Sequence, residues 1–159
     1  LAPDGLLQLD VIPKVAYTEA IVAVGGGKVM DFAKGIIHEW DKPAFFLAVP
    51  TTAGSGSEAT PFAVFYSGSE KVSLDRPSLL PQMVILDASM VKNLSTQQRA
   101  ISGADAFCQC IESLWNIKRT DASEGFAAQG LKKLHQHLPA FVKSTDAAVD
   151  AEMLDAANL

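Results

Sequence analysis

The chain has 159 residues, of which 48% are hydrophobic and 19% charged, and its formal net charge is −5. That length buries one sizeable core, or one core and part of a second, and the composition is that of a globular protein. The negative balance excludes a nucleic-acid binder that works by neutralising phosphates, and no apolar run reaches the roughly 20 residues of a bilayer span.

No secretory leader is visible, and the first residue is Leu1, not methionine, so the natural N-terminus is expected upstream. Ile21 to Val24 reads as a buried strand. Gly25-Gly26-Gly27-Lys28 then turns the chain into a helix with Val29, Ala33, Ile36, Ile37 and Trp40 at spacings of three and four. A glycine turn between a strand and a helix lets the backbone approach a phosphate, and the first N–H groups of the helix point at it. Taken alone it equally fits a turn that needs glycine for a positive φ. Ala44 to Val49 is the second strand. The loop after it, Pro50-Thr51-Thr52-Ala53-Gly54-Ser55-Gly56-Ser57-Glu58, is again rich in glycine and hydroxyl residues. Two such loops in one short chain point to a nucleotide.

Phe62 to Tyr66 and Lys71 to Leu74 flank Ser67-Gly68-Ser69 and read as a hairpin, and Met83 to Leu86 is a further strand. From Ser95 onward strand signals stop. One helix is expected from about Thr96 to Asn116, and a second is opened by an Asp121-x-x-Glu124 cap and closes near Pro139. A third begins at Asp146 and runs on to the last residue, as in a piece of a longer protein. The expected organisation is an α/β domain over residues 1–94 and the opening of an all-helical domain over residues 95–159. Cys108 and Cys110 lie two apart on a helix and face different directions, so no disulfide joins them and a reducing cytoplasm is the expected compartment.

Within the helix from Thr96, Ser102, Asp105, Gln109 and Glu112 form one polar stripe between mostly apolar neighbours, which suggests a helix buried on most sides. Such a stripe is either a solvent-facing edge or a site for a ligand or metal. Asp105 and Gln109, at i and i+4, can reach one cation, although a neutral amide is a weak ligand. His38, late in the first helix, reads as an exposed residue or a partner of the helix dipole, not as a ligand. His135 and His137, two apart in a helix, read as surface residues.

The run Gly25-Gly26-Gly27-Lys28-Val29-Met30-Asp31-Phe32-Ala33-Lys34, the loop from Pro50 to Thr60, the stretch Leu80 to Asp87, and Gly103-Ala104-Asp105-Ala106 with Ile111-Glu112-Ser113 together resemble the iron-containing (group III) alcohol dehydrogenases. The resemblance implies a Rossmann-like dinucleotide-binding α/β domain followed by an all-helical metal-binding domain. The implied activity is hydride transfer between NAD or NADP and a small alcohol or aldehyde, assisted by a divalent metal, iron or zinc. By the same resemblance Gly26, Gly27 and Lys28 lie against the pyrophosphate. Asp31, Thr51, Thr52, Ser57, Thr60 and Lys71 line the rest of the cofactor cleft, and Asp105 is the first metal carboxylate. Where the family usually places His, this chain has Gln109, a weaker ligand. The stretch Asp105-Ala106-Phe107-Cys108-Gln109 through Trp115 is similar to the phosphonate-associated reductase branch. The expected partners are a small alcohol or aldehyde and further copies of the chain, with no nucleic acid and no membrane. The competing readings are a catalytically silent nucleotide-binding or assembly module, and a glycerol dehydrogenase-like or dehydroquinate synthase-like member of the superfamily.

Overall fold

The computed structural model describes residues 18–40 and 44–159, so the expectation at Leu1 lies outside the described residues. The described part forms two compact units. One comprises the described residues up to Val49 together with Ser57–Ile85, the other Pro50–Gly56 and Leu86–Leu159.

In the first unit, strands β1 (Ala20–Gly25), β2 (Phe45–Pro50) and β5 (Met83–Val84) lie in the order β1-β2-β5, and β2 and β5 run parallel with Leu47 opposite Met83. Strand β5 is shorter than the Met83 to Leu86 expected, because only Met83 and Val84 find ladder partners on β2. Helix α1 (Gly27–Glu39) follows β1 directly. Met30, Ala33 and Ile37 pack with Ala23, Phe46 and Ala48 from the sheet, while Phe32 and Ile36 meet Ala63 and Phe65.

The buried stripe of α1 is therefore Met30, Ala33, Lys34 and Ile37, turned by one residue from the expected face. Val29 is 42% exposed and Trp40 is the C-cap, not a core position. The expected stripe overlooked that a lysine can hold a core position when its ammonium is fully partnered. His38 is half-buried in the last turn of α1, the place of a partner to the helix dipole.

Strands β3 (Phe62–Ser67) and β4 (Glu70–Asp75) form the expected hairpin, paired antiparallel through Ser67 and Glu70, with Gly68 at φ 64° in the two-residue turn.

The second unit holds helices α2 (Thr96–Trp115), α3 (Asp121–Lys143) and α4 (Ala147–Asn158). Ser95 and Gln98 form a capping box that starts α2. Helix α3 is capped by Thr120 with Ser123, one residue earlier than the expected Asp121–Glu124 pattern, since the threonine hydroxyl accepts from the Ser123 N–H. It also runs through Pro139 to Lys143, where a stop was expected. Proline removes one helical hydrogen bond, but the turns on either side of Pro139 are anchored by Leu134 and Phe141, both fully buried. Their core includes Val91, Ala106, Met153, Leu154 and Ala53 of the second loop. Among the described residues, no helix is long and apolar enough to cross a membrane.

Candidate functional site

Two clusters carry the polar chemistry, one in each unit. In the first, β1 delivers the chain into the glycine turn, and Gly26 is the N-cap of α1, with φ −84° and ψ −172°. Its carbonyl accepts from the N–H groups of Val29 at 2.9 Å and Met30 at 3.2 Å. Gly26 and Gly27 are half-buried and Lys28 is exposed, so the turn is open to a ligand. Among the described residues only Gly56 and Gly68 have positive φ, so a positive φ is not the reason for the Gly25–Gly27 run. At Gly25 the reason is contact, because a Cβ there would lie 2.5 Å from the side chain of Val29.

One turn along α1, Asp31 and Lys34 meet the segment that leads into β3. Lys34 is fully buried. Its Nζ donates to the carbonyls of Ser57 (2.6 Å), Thr60 (2.8 Å) and Phe62 (2.6 Å), and to the hydroxyls of Ser57 (3.1 Å) and Thr60 (3.4 Å). The Ser57 hydroxyl donates to Asp31 at 3.3 Å. Burial pulls the Lys34 ammonium down to about 8, against the opposing pull of Asp31 and Glu58. Burial likewise raises Asp31 and Glu58, the latter 2% exposed, and the nearby ammonium partly offsets the rise in each. Of the sequence-predicted cofactor residues, Asp31, Ser57 and Thr60 are thus brought together, with their polar groups engaged in one internal network. Lys71 stands apart and exposed on β4, opposite Tyr66. Lys34, the hub of the network, was missed as a site residue. Its signal in the sequence was a lysine at the i+4 place of the Met30 stripe.

The second cluster lies in the helical unit. Thr51 and Thr52 are half-buried in the loop of residues 50–56, whose Ala53 is fully buried. The loop rests on α2 at Gly54, where a Cβ would lie 2.7 Å from the Ser102 carbonyl oxygen and 2.9 Å from its Cα. Gln109 Nε2 donates to the Gly54 carbonyl at 3.4 Å. Gly56 turns the chain at φ 57°.

Because the obstacle at Gly54 is backbone, Gly54→Ala must lift the loop. The expected cost is about 1–3 kcal/mol of stability, read as a lower urea midpoint. An unchanged midpoint would show that the loop does not rest on α2.

The expectation that α2 is buried on most sides is corrected by the structure. Its buried residues are Arg99, Gly103 and Ala106, whereas Ile101 is 62% and Trp115 80% exposed. Phe107 and Cys110 pack on the helical core only in part, and Ile101 and Trp115 point outward. Asp105 and Gln109 are exposed and lie one turn apart on the stripe. They offer one carboxylate and one neutral amide, and the amide is engaged with Gly54. Among the described residues no three His, Cys, Asp or Glu side chains could together hold a metal ion. A catalytic zinc site uses three protein ligands, so these residues do not by themselves fit a divalent metal.

A sequence profile of the iron-containing alcohol dehydrogenases matches residues 12–88. The 1-propanol dehydrogenase PduQ of Salmonella typhimurium is 30% identical over 163 aligned residues, covering 98% of this chain and 43% of that protein. The phosphonoacetaldehyde reductase of Streptomyces viridochromogenes is 32% identical over 146, covering 76% and 37%. The solved sulfoacetaldehyde reductase of Bifidobacterium kashiwanohense, in complex with NAD+, superposes with a TM-score of 0.81 at 26% identity, covering 88% of this chain and 43% of that one. The chain thus spans less than half the length of these relatives. With the two loops standing where the resemblance puts them in the chain order, the chain belongs to the iron-containing alcohol dehydrogenase family.

Proposed function

We propose that the protein is an oxidoreductase that transfers a hydride between NAD(P)H and a small aldehyde or alcohol. The observation that carries the reading is the open turn Gly26-Gly27-Lys28 at the start of α1, in a chain of this family. The N-terminus of α1 suits a pyrophosphate, because first-turn N–H groups lack helical acceptors and the helix dipole favours negative charge there. Gly26 and Gly27 let that backbone come close, and Lys28 adds a cation. Asp31, Ser57 and Thr60 form the rest of the proposed cofactor side on this unit. When bound, the nicotinamide supplies or accepts the hydride. This division assigns cofactor binding to residues up to about 94 and the substrate side to the helices. The substrate class is a small aldehyde, and the similarity to a phosphonoacetaldehyde reductase puts one with an anionic group among the first to try. A cytoplasmic setting and assembly into homo-oligomers belong to the same proposal.

The test is NADH and NADPH oxidation by the intact protein with propanal and phosphonoacetaldehyde, followed by nicotinamide absorbance. Turnover with either is the expected result. Dinucleotide binding without turnover on any small aldehyde would overturn the enzyme reading in favour of a silent nucleotide-binding module.

The metal is a separate question about Asp105 and Gln109. Imidazole is a far better ligand than an amide, so Gln109→His should raise zinc or iron(II) affinity about tenfold or more if the stripe faces a metal position. Competition against a chelator measures this. No gain would remove both residues from any metal role.

A further inference from the structure

We propose that Lys34 is a positioning residue of the cofactor side, its buried ammonium clamping the backbone from Ser57 to Phe62 onto α1 and thereby setting where Asp31, Ser57 and Thr60 stand. The inference rests on the dinucleotide reading given above and adds a residue to it that contacts no ligand.

The geometry is specific. Five oxygens from Ser57, Thr60 and Phe62 converge within 3.4 Å of one Nζ, and three of them are main-chain carbonyls. The main-chain bonds within the segment are long by comparison. Its short 3-10 turn at Ser57–Ala59 leads to a long Thr60 N–H to Ser57 carbonyl bond of 3.4 Å, and beyond it Arg76 N–H reaches the Pro61 carbonyl at 3.3 Å. The Lys34 bonds to the three carbonyls are shorter than either, and hydrogen bonds from an ionised donor are roughly twice as strong as neutral ones. A solvated lysine would not be placed this way. Burying an ammonium is costly unless it is fully hydrogen-bonded, and here every one of its hydrogens has an oxygen to meet.

Protonation decides the strength of the clamp. An ammonium has three hydrogens and a positive charge for these five oxygens, and the neutral amine has two hydrogens and no charge, so deprotonation weakens the hold on the carbonyls. The titratable groups that face Lys34 are Asp31 on α1 and Glu58 on the turn. The alkaline limb therefore reports the lysine.

The experiment compares wild type with Lys34→Met in the intact protein, measuring NAD(H) affinity by calorimetry and the KM for cofactor and for propanal separately. Lys34→Met should weaken NAD(H) binding about tenfold or more, the size expected for losing hydrogen bonds from a charged donor, with the propanal KM unchanged. Wild-type affinity should fall as pH rises through about 8, and the variant should lack that fall. A folded Lys34→Met with wild-type NAD(H) affinity, or with the same alkaline fall, overturns the proposal. So does a parallel rise of both KM values with a lowered melting temperature, which is what a purely structural lysine predicts. If Lys34→Met does not fold, the wild-type profile decides, and an affinity that is flat across pH 8 overturns it. Wild type that binds neither NAD(H) nor NADP(H) overturns the cofactor reading itself, and this inference with it.

Discussion

Asp150→Ala should destabilise the helical unit by about 3–5 kcal/mol, the penalty for leaving one member of a buried ion pair without its partner. Arg99 and Asp150 are each 2% exposed and meet in a two-pronged pair, Nη1 to Oδ1 at 2.5 Å and Nη2 to Oδ2 at 3.1 Å. The guanidinium also lies 4.5 Å from the centre of the Phe141 ring. It donates to the carbonyls of Val91 (3.0 Å), Lys92 (3.2 Å), Leu94 (3.4 Å), Phe141 (3.1 Å) and Ser144 (3.4 Å). The last two belong to the end of α3, where helical carbonyls have no partner of their own. One side chain of α2 thus ties together the end of α3, the first turn of α4 and the segment before α2.

This network also fixes the outcome of the double replacement. Exchanging a buried ion pair for apolar residues of similar volume is often neutral. Here Arg99→Met with Asp150→Leu would still strip the donor from five carbonyls, at about 1–3 kcal/mol for each that water cannot reach. The double variant is expected to remain well below wild type in a urea melt. An Asp150→Ala protein within about 1 kcal/mol of wild type, the range of an exposed ion pair, would show that the pair is solvated.

The residues that were hard to read are charged ones in core positions. The strands, the hairpin at Gly68 and the three later helices were legible, because period-2 and period-3.6 patterns and turn residues report the local backbone directly. Lys34 and Arg99 were not, because a hydrophobic pattern reads a charge as an outward position. Lys34 is buried because oxygens 23 to 28 positions further along the chain converge on it, and Arg99 because its partners include oxygens 42 to 51 positions further along. Local periodicity carries no trace of such partners. The face of α1 was misplaced by one residue for that reason. On α2 the conspicuous stripe of Ser102, Asp105, Gln109 and Glu112 drew attention, while the buried line is Arg99, Gly103 and Ala106. The second loop shows the same limit. Its glycines announced a special backbone, but that Gly54 rests on Ser102 and Ala53 enters the helical core depends on tertiary packing.

Gly26→Val should abolish NAD(H) and NADP(H) binding, a loss of about a hundredfold or more in affinity, while the protein stays folded. The separation of these two effects follows from the backbone. Gly26 sits at φ −84° and ψ −172°, an extended conformation that valine adopts readily. A branched side chain there costs little in backbone strain, and the Gly26 carbonyl still accepts from Val29 and Met30 to start α1. What changes is the approach to the turn. The proposed pyrophosphate must come within hydrogen-bond distance of main-chain N–H groups, about 2.7–3.2 Å, and two methyl groups on Cβ keep an anion further away than that. Losing two bonds to a charged acceptor, at about 1.5–3 kcal/mol each, is enough for the hundredfold fall. Calorimetric titration with each dinucleotide reads the affinity, and a melting curve on the same sample reads the fold. Normal dinucleotide binding by Gly26→Val would remove the turn from the cofactor site. Unfolding of the variant would return Gly26 to a structural role, against the extended geometry seen at this residue.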